Sequence, residues 1–243
     1  WAALVPSLSG ETAASVLYLV FAVVAMVCAY LLGSVNSAII ISRVFYHDDI
    51  RRYGSGNAGM TNMLRTYGKG AALGTLAGDV TKTALAVFLG GTLLGFGYVG
   101  GIALAEGGYI AGLFAVLGHV FPVYYKFRGG KGVLASATMA LILSPACLGI
   151  MLLIFILIVA MTKYVSLGSV SAGVLYPVLV KGYISFCFPG AREPGMVALV
   201  TILIACLLVF CHRGNLKRIG ERTERKLSFK KVEKEEKDDH DGE

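Results

Sequence analysis

Apolar residues run in long blocks along this chain, and short polar, glycine-rich segments interrupt them. The blocks lie near residues 14–35, 71–96, 100–122, 132–145, 147–162, 166–187 and 195–212. A helix needs roughly 20 apolar residues to cross a bilayer, whereas a barrel strand shows about ten residues of alternation, which these blocks lack. The pattern therefore predicts an all-α polytopic membrane protein with about seven transmembrane helices. Pro145, inside "SPA", interrupts the block from 132 to 162, and proline breaks a helix interior. A short helical hairpin is expected there, with five or six spans as the alternatives. Residues 227–243 are charged and nearly devoid of apolar side chains. They read as a disordered tail on a single membrane domain at 1–226.

Composition strengthens this reading. The 243 residues are 56% hydrophobic and only 15% charged, whereas soluble domains are about a quarter charged. Positive charge is unevenly placed. Arg43, Arg51, Arg52, Arg65, Lys69, Lys126, Arg128, Lys131, Lys163 and every Lys and Arg from Arg213 onward fall on one side. The other side holds Lys181 and Arg192, while Lys82 lies within a span. The positive-inside rule then sets the N-terminus outside and the C-terminus in the cytoplasm. The net charge of +7 serves orientation and headgroup contact, and no nucleic-acid partner is expected. The chain opens at Trp1 without a small-residue cleavage site after the first block, which reads as a span and not as a signal peptide. Cys28, Cys147, Cys187, Cys206 and Cys211 are scattered, with no C-x-x-C pair. Neither a disulfide framework nor a metal site is indicated.

Four segments on the positive side carry more than charge: "GSGNAGMTNMLR" (54–65), "GHVFPVYYKFRGGKGV" (118–133), "KYVSLGS" (163–169) and "HRGNLKRIGERTERK" (212–226). Glycine lets backbone N–H groups approach a ligand and form an anion-binding nest. Gly129, Gly130 and Gly132 surround Lys131 just before a helix start, with Arg128 beside them, an arrangement suited to phosphate. It is not a Walker A loop, because Lys131 is followed by Gly132. Gly54 and Gly56 suggest a second nest, with Ser55, Asn57, Thr61 and Asn62 as donors and Arg65 able to grip an anion with two N–H groups. Taken singly, Arg51 and Lys163 read as orientation signals, and a lone glycine cluster reads as a packing device. Four such segments on one face argue for a site.

Within the spans, Asp79 and Lys82 share a helix face and are expected to pair structurally. No G-x-S-x-G elbow occurs, which argues against a lipase-type serine nucleophile. No histidine is followed five positions later by aspartate, as the soluble-type acyltransferase motif would require.

In order and spacing, the four segments resemble those of the PlsY family of bacterial acyl-phosphate:glycerol-3-phosphate acyltransferases. "LLGS" at 31–34 and "GDVTK" at 78–82 extend the likeness over most of the chain. Departures are Asn36 and Ala58 where the family commonly has proline, Thr83 where it has glycine, and "RTE" (Arg222 to Glu224) for "GTE". The resemblance implies a multi-pass enzyme of the bacterial cytoplasmic (inner) membrane with its site facing the cytoplasm. It implies acyl transfer from acyl phosphate to the sn-1 hydroxyl of glycerol 3-phosphate, giving lysophosphatidic acid and phosphate without a cofactor. Membrane lipids are the surroundings, and a monomer is expected.

Carried over by motif, Ser55 and Arg65 belong to a first catalytic loop and Lys131 to the phosphate loop. Ser166 or Ser169 lines the pocket, His212 and Asn215 bind or orient the acceptor, and Glu224 supports that loop. The general base is left between His212 and a phosphate oxygen of the donor. An acyl phosphate has a good leaving group, so orientation and charge neutralisation could supply most of the acceleration. The rival class, a transporter or lipid-binding protein, would place polar groups near the bilayer midplane in symmetric halves. A metal-dependent phosphotransferase would need carboxylate clusters that the loops lack.

Overall fold

A computed structural model describes residues 10–94, 98–99, 102–103, 106–187 and 195–227. Each apolar block becomes a helix, and the polar segments turn out to be partly helical too. Helix α1 (Gly10–Ser34) is followed by α2 (Ser37–Tyr46), a 3-10 turn (Ile50–Arg52), α3 (Met60–Tyr67) and α4 (Lys69–Leu94). Next come two-residue strands β1 (Tyr98–Val99) and β2 (Ile102–Ala103), then α5 (Glu106–Val120) and a second 3-10 turn (Val123–Tyr125). Helices α6 (Val133–Leu143), α7 (Pro145–Thr162), α8 (Val165–Cys187) and α9 (Gly195–Gly220) complete the described chain.

Three expectations change. The all-α fold is present with one two-residue antiparallel ribbon, Tyr98 with Ala103 and Val99 with Ile102, and the third span starts later than residue 100. Against seven expected spans, with five or six as the alternatives, six helical stretches among the described residues are long and apolar enough to cross by length and composition. The exception is α6, whose 11 residues reach about 16 Å, short of the roughly 30 Å hydrocarbon core. Finally, α9 continues past the expected end at 212 to Gly220, so "HRGNLKRIG" is helix, not loop. Arg192 and residues 228–243, including most of the charged tail, lie outside the described residues.

The hairpin expected at "SPA" is present. Pro145 opens α7, where its missing N–H costs nothing. At the hairpin tip the Ser144 Oγ and Tyr176 hydroxyls are 2.9 Å apart.

Side-chain burial gives α1 and α7 outward faces such as Leu19, Val23, Leu153 and Ile156, which are apolar and exposed, as hydrocarbon requires. In lipid, helices gain from close approach and not from escaping water. A Cβ at Gly33 would overlap the Ala115 carbonyl, and one at Gly118 the Tyr30 carbonyl, so α1 and α5 meet through glycine. Val87, Tyr109, Met139, Tyr176 and Ile204, from five helices, fill the fully buried core. The backbone N–H of Leu227 donates to the Lys163 carbonyl (2.8 Å), so the α7–α8 turn and the end of the described chain lie together. All four polar segments converge at that end of the bundle.

Candidate active site

The segment leading into the first polar loop is built around an acid. Asp49 caps the 3-10 turn, and Arg51 forks onto it through Nε–Oδ1 (2.9 Å) and Nη2–Oδ2 (2.7 Å). These hydrogen bonds hold the Asp49 carboxyl well below the usual carboxylate range. The remaining guanidinium nitrogen of Arg51 donates to the carbonyls of Tyr125 (3.1 Å) and Arg128 (3.2 Å) in the second loop. Arg51 is thus a tie between two loops, a role beyond that of an orientation charge.

Gly54 and Gly56 adopt φ of 59° and 71°, a left-handed turn that glycine permits without strain. The turn is not an anion nest. Its N–H groups at Ser55 and Gly56 donate to Asn62 Oδ1 (3.0 Å) and the Tyr53 carbonyl (2.9 Å). Asn62 is buried, and its amide nitrogen donates to Ile50 and Tyr53, so it holds the loop's shape and has no donor left for a ligand. The side chains of Ser55 and Thr61 make no hydrogen bond among the described residues, and both residues line the site cavity. Arg65, in the last turn of α3, likewise makes no hydrogen bond or salt bridge among the described residues, with the Glu224 and Arg225 charges nearby.

The second loop uses two of its expected nest donors internally. Gly129 and Gly130 donate their N–H groups to Val120 (3.2 Å) and His119 (3.1 Å), satisfying the last carbonyls of α5. Neither lines the cavity, and neither does Gly56 or Arg128. A Cβ at Gly129 would overlap the His119 carbonyl, and one at Gly130 the His119 ring. Gly132 differs: it lines the cavity at φ 81° and starts α6 without a side-chain cap.

Lys131 is held from the far end of the chain. Its Nζ donates to Asn215 Oδ1 (2.5 Å), and Asn215 Nδ2 donates to Glu224 Oε1 (2.6 Å). Glu224 also accepts from Ser166 Oγ (2.8 Å) and Arg218 Nε (2.8 Å). Burial pushes the Glu224 carboxyl up, but these three hydrogen bonds outweigh it and leave it lowered. Burial pushes the Lys131 ammonium down, against the nearby Glu224 charge. Desolvation lowers Arg65 as well. One α9 stripe carries Leu208, His212 and Asn215. His212 Nδ1 lies 2.7 Å from the Leu208 carbonyl. A carbonyl only accepts, so Nδ1 bears the proton and Nε2 of the neutral ring carries the free lone pair.

These groups line one cavity of about 580 Å³. Ser55, Arg65, Lys131, His212 and Asn215 all reach it, as do Gly54, Asn57, Thr61, Ser166, Ser169 and Glu224. Sequence reasoning missed Arg218 and Arg225 at the polar end, and the apolar wall supplied by α6, α7 and α8.

The model of the glycerol-3-phosphate acyltransferase family matches residues 23–222. Glycerol-3-phosphate acyltransferase of Thermoanaerobacter sp. (strain X514) is 39% identical over 210 residues, covering 86% of this chain and 98% of the relative. That of Coxiella burnetii (strain CbuG_Q212) is 36% identical over 209 residues, covering 85% and 98%. The chain belongs to the glycerol-3-phosphate acyltransferase family. Its fold matches the crystal structure of PlsY, an integral membrane glycerol 3-phosphate acyltransferase, in the glycerol 3-phosphate form. The TM-score is 0.73 at 27% identity, over 85% of this chain and 96% of that one. The lysophosphatidic acid form matches with a TM-score of 0.71 at 26% identity, covering 86% and 96%. This acyltransferase is therefore a multi-pass membrane enzyme, and the transporter reading falls away.

Its departures from the family pattern now have places. Asn36 caps α2 through Ile39 N (3.0 Å), and its Nδ2 reaches the Ala58 carbonyl (3.3 Å), so the two positions where the family has proline contact each other. Thr83 is buried and donates to the Asp79 carbonyl (2.8 Å). Arg222 takes φ 59°, the left-handed region that favours glycine, which explains the family's residue there. The expected Asp79–Lys82 pair exists at 3.0 Å, and the structure adds His119. Lys82 Nζ also donates to the Val35 carbonyl (2.5 Å) and lies 3.0 Å from His119 Nδ1, which must accept. Ser37 Oγ completes the cluster on Asp79 at 3.1 Å. This buried set locks α2, α4 and α5 beneath Gly130.

Proposed function

We propose that this acyltransferase takes its acyl group from an acyl phosphate and delivers it to the sn-1 hydroxyl of glycerol 3-phosphate. The observation that carries the reading is one cavity with two characters: cations at its polar end and an apolar slot running on into the helix bundle. Two substrate phosphates need the first, and an acyl chain needs the second. The glycerol 3-phosphate and lysophosphatidic acid forms of the solved relative fit the same acceptor and product.

Helices α3 and α6 both begin at the cavity without side-chain caps. Their first-turn N–H dipoles, with Arg65 and Lys131, form two phosphate sites. The hydroxyl oxygen attacks the acyl carbonyl carbon, the new C–O bond forms, and the bond to the phosphate oxygen breaks with its electron pair. The hydroxyl proton goes to His212 Nε2 or to the departing phosphate, and a retained rate in His212→Gln selects the phosphate. Asn215 positions Lys131 through its Oδ1.

The Lys and Arg distribution supports a site open to the cytoplasm at the bacterial inner membrane. One chain supplies every group named, so this reading requires no second copy. The test supplies purified protein with acyl phosphate and glycerol 3-phosphate and follows phosphate and lysophosphatidic acid together. Equal kcat/KM with an acyl thioester of matched chain would refute the acyl phosphate donor.

A further inference from the structure

The two halves of the cavity are stacked along α8. Ser166 and Ser169 stand at the polar end, Ala172 and Gly173 follow a turn deeper, and Tyr176 comes next on the same stripe. Tyr176 is fully buried, does not line the cavity, and is closed over by its hydroxyl contact with Ser144 at the α6–α7 tip. Ser166 to Tyr176 is ten helical steps, about 15 Å, half of the roughly 30 Å hydrocarbon core. The facing wall, from α7, is bulky: Leu148, Met151, Leu152 and Phe155. Leu152 lines the cavity yet is 46% exposed, so the slot's outer wall is one side chain thick towards lipid.

We propose that Ala172 and Gly173 determine which acyl chains this enzyme accepts, with the Tyr176–Ser144 contact as the floor of the slot. The inference rests on the acyl-donor reading above. An acyl chain whose carbonyl sits near Ser166 runs down the small-residue wall and meets the floor after about 15 Å. Longer chains must bend out past Leu152 into the bilayer. A side chain added to the small wall shortens the gripped length without touching the phosphate end. At Gly173 a new Cβ would come within 2.5 Å of Leu208, whose carbonyl fixes His212, so Ala172 is the cleaner position to change.

The experiment measures kcat/KM of the full chain with acyl phosphates of increasing length. Ala172→Leu should lower it about tenfold or more for long chains, while leaving the shortest chain within about twofold of the parent. Tyr176→Leu should move the preference towards longer chains. A uniform loss across lengths, or an unchanged length profile, overturns the proposal. If Ala172→Leu were inactive at every length, the smaller Ala172→Val decides on the same criterion. A parent inactive with every acyl phosphate but active with another acyl donor would refute the donor reading alone, and the same profile is then read with that donor.

Discussion

"GSGN" and "GGKG" look alike in composition and do opposite things. In the first, Gly54 and Gly56 supply left-handed turns, and the loop's shape depends on backbone freedom. In the second, Gly129 and Gly130 are wanted for the absence of a side chain, because the end of α5 occupies the space where a Cβ would go. In both runs part of the N–H set is used internally: Ser55 and Gly56 donate to Asn62 and Tyr53, and Gly129 and Gly130 to Val120 and His119. In the proposed reading, anion recognition falls to the helices that each run introduces, α3 with Arg65 and α6 with Lys131. A glycine-rich segment thus announces that the backbone is doing something unusual, but not which thing.

The largest expected effects separate cations from scaffolding. Lys131→Ala and Arg65→Ala should each lower kcat by about 10²–10³, or roughly 3–4 kcal/mol, if each acts as a preorganised donor. Insertion and thermal midpoint in detergent should stay near the parent's. A near-parental rate in either would show that the two runs do not deliver the catalytic charges. Next comes Arg51→Ala, which breaks the tie between the runs and should cost about 2–3 kcal/mol of stability through lost charged hydrogen bonds. Arg51→Lys should recover only part, since an ammonium cannot reproduce the fork. An unchanged melting profile would mean that the loops are held independently.

Gly130→Ala and Gly56→Ala address the contrast directly. The first forces the His119 ring aside and should destabilise by about 1–3 kcal/mol through overpacking. The second meets only the Arg51 carbonyl at ordinary contact distance and should cost about 1 kcal/mol from its positive φ. Equal penalties would erase the distinction drawn here. The smallest effect is a pH dependence at the Glu224 anchor of Lys131. Its folded-state pKa is lowered from the ordinary 4.5. The stability it contributes is therefore fully present above that value and lost as pH falls through the lower folded value. Glu224→Gln should flatten this acid limb of the melting profile, at a cost of about 1 kcal/mol at neutral pH. An unaltered acid limb would assign it to another group.

The spans were legible because hydrocarbon demands long apolar runs and little else. Helix α2 was hidden because only one short break separates it from α1, although Asn36 before "SAIII" is an N-cap signal that could have found it. Helix α3 and the end of α9 were hidden because polar residues beside a membrane resemble loops, yet a helix projecting beyond lipid has every reason to be polar. The family motifs led to Ser55, Arg65, Lys131, His212 and Asn215, which line one cavity. Their partners were not legible: Lys131–Asn215 and Lys82–His119 join residues far apart in the chain, and spacing carries no trace of such contacts. The same limit hid the apolar slot, which no single helix contains.

The bond from Glu224 back to Ser166 has a consequence for how the enzyme is made. A chain emerging from the ribosome forms its N-terminal parts first, so every helix can enter the membrane before Glu224 exists. Until Glu224 arrives to hold Asn215, and through it Lys131, the cavity stays unfinished. A nascent or prematurely terminated chain ending in α9 would have its helices in place while Asn215 and Ser166 lack their shared acceptor.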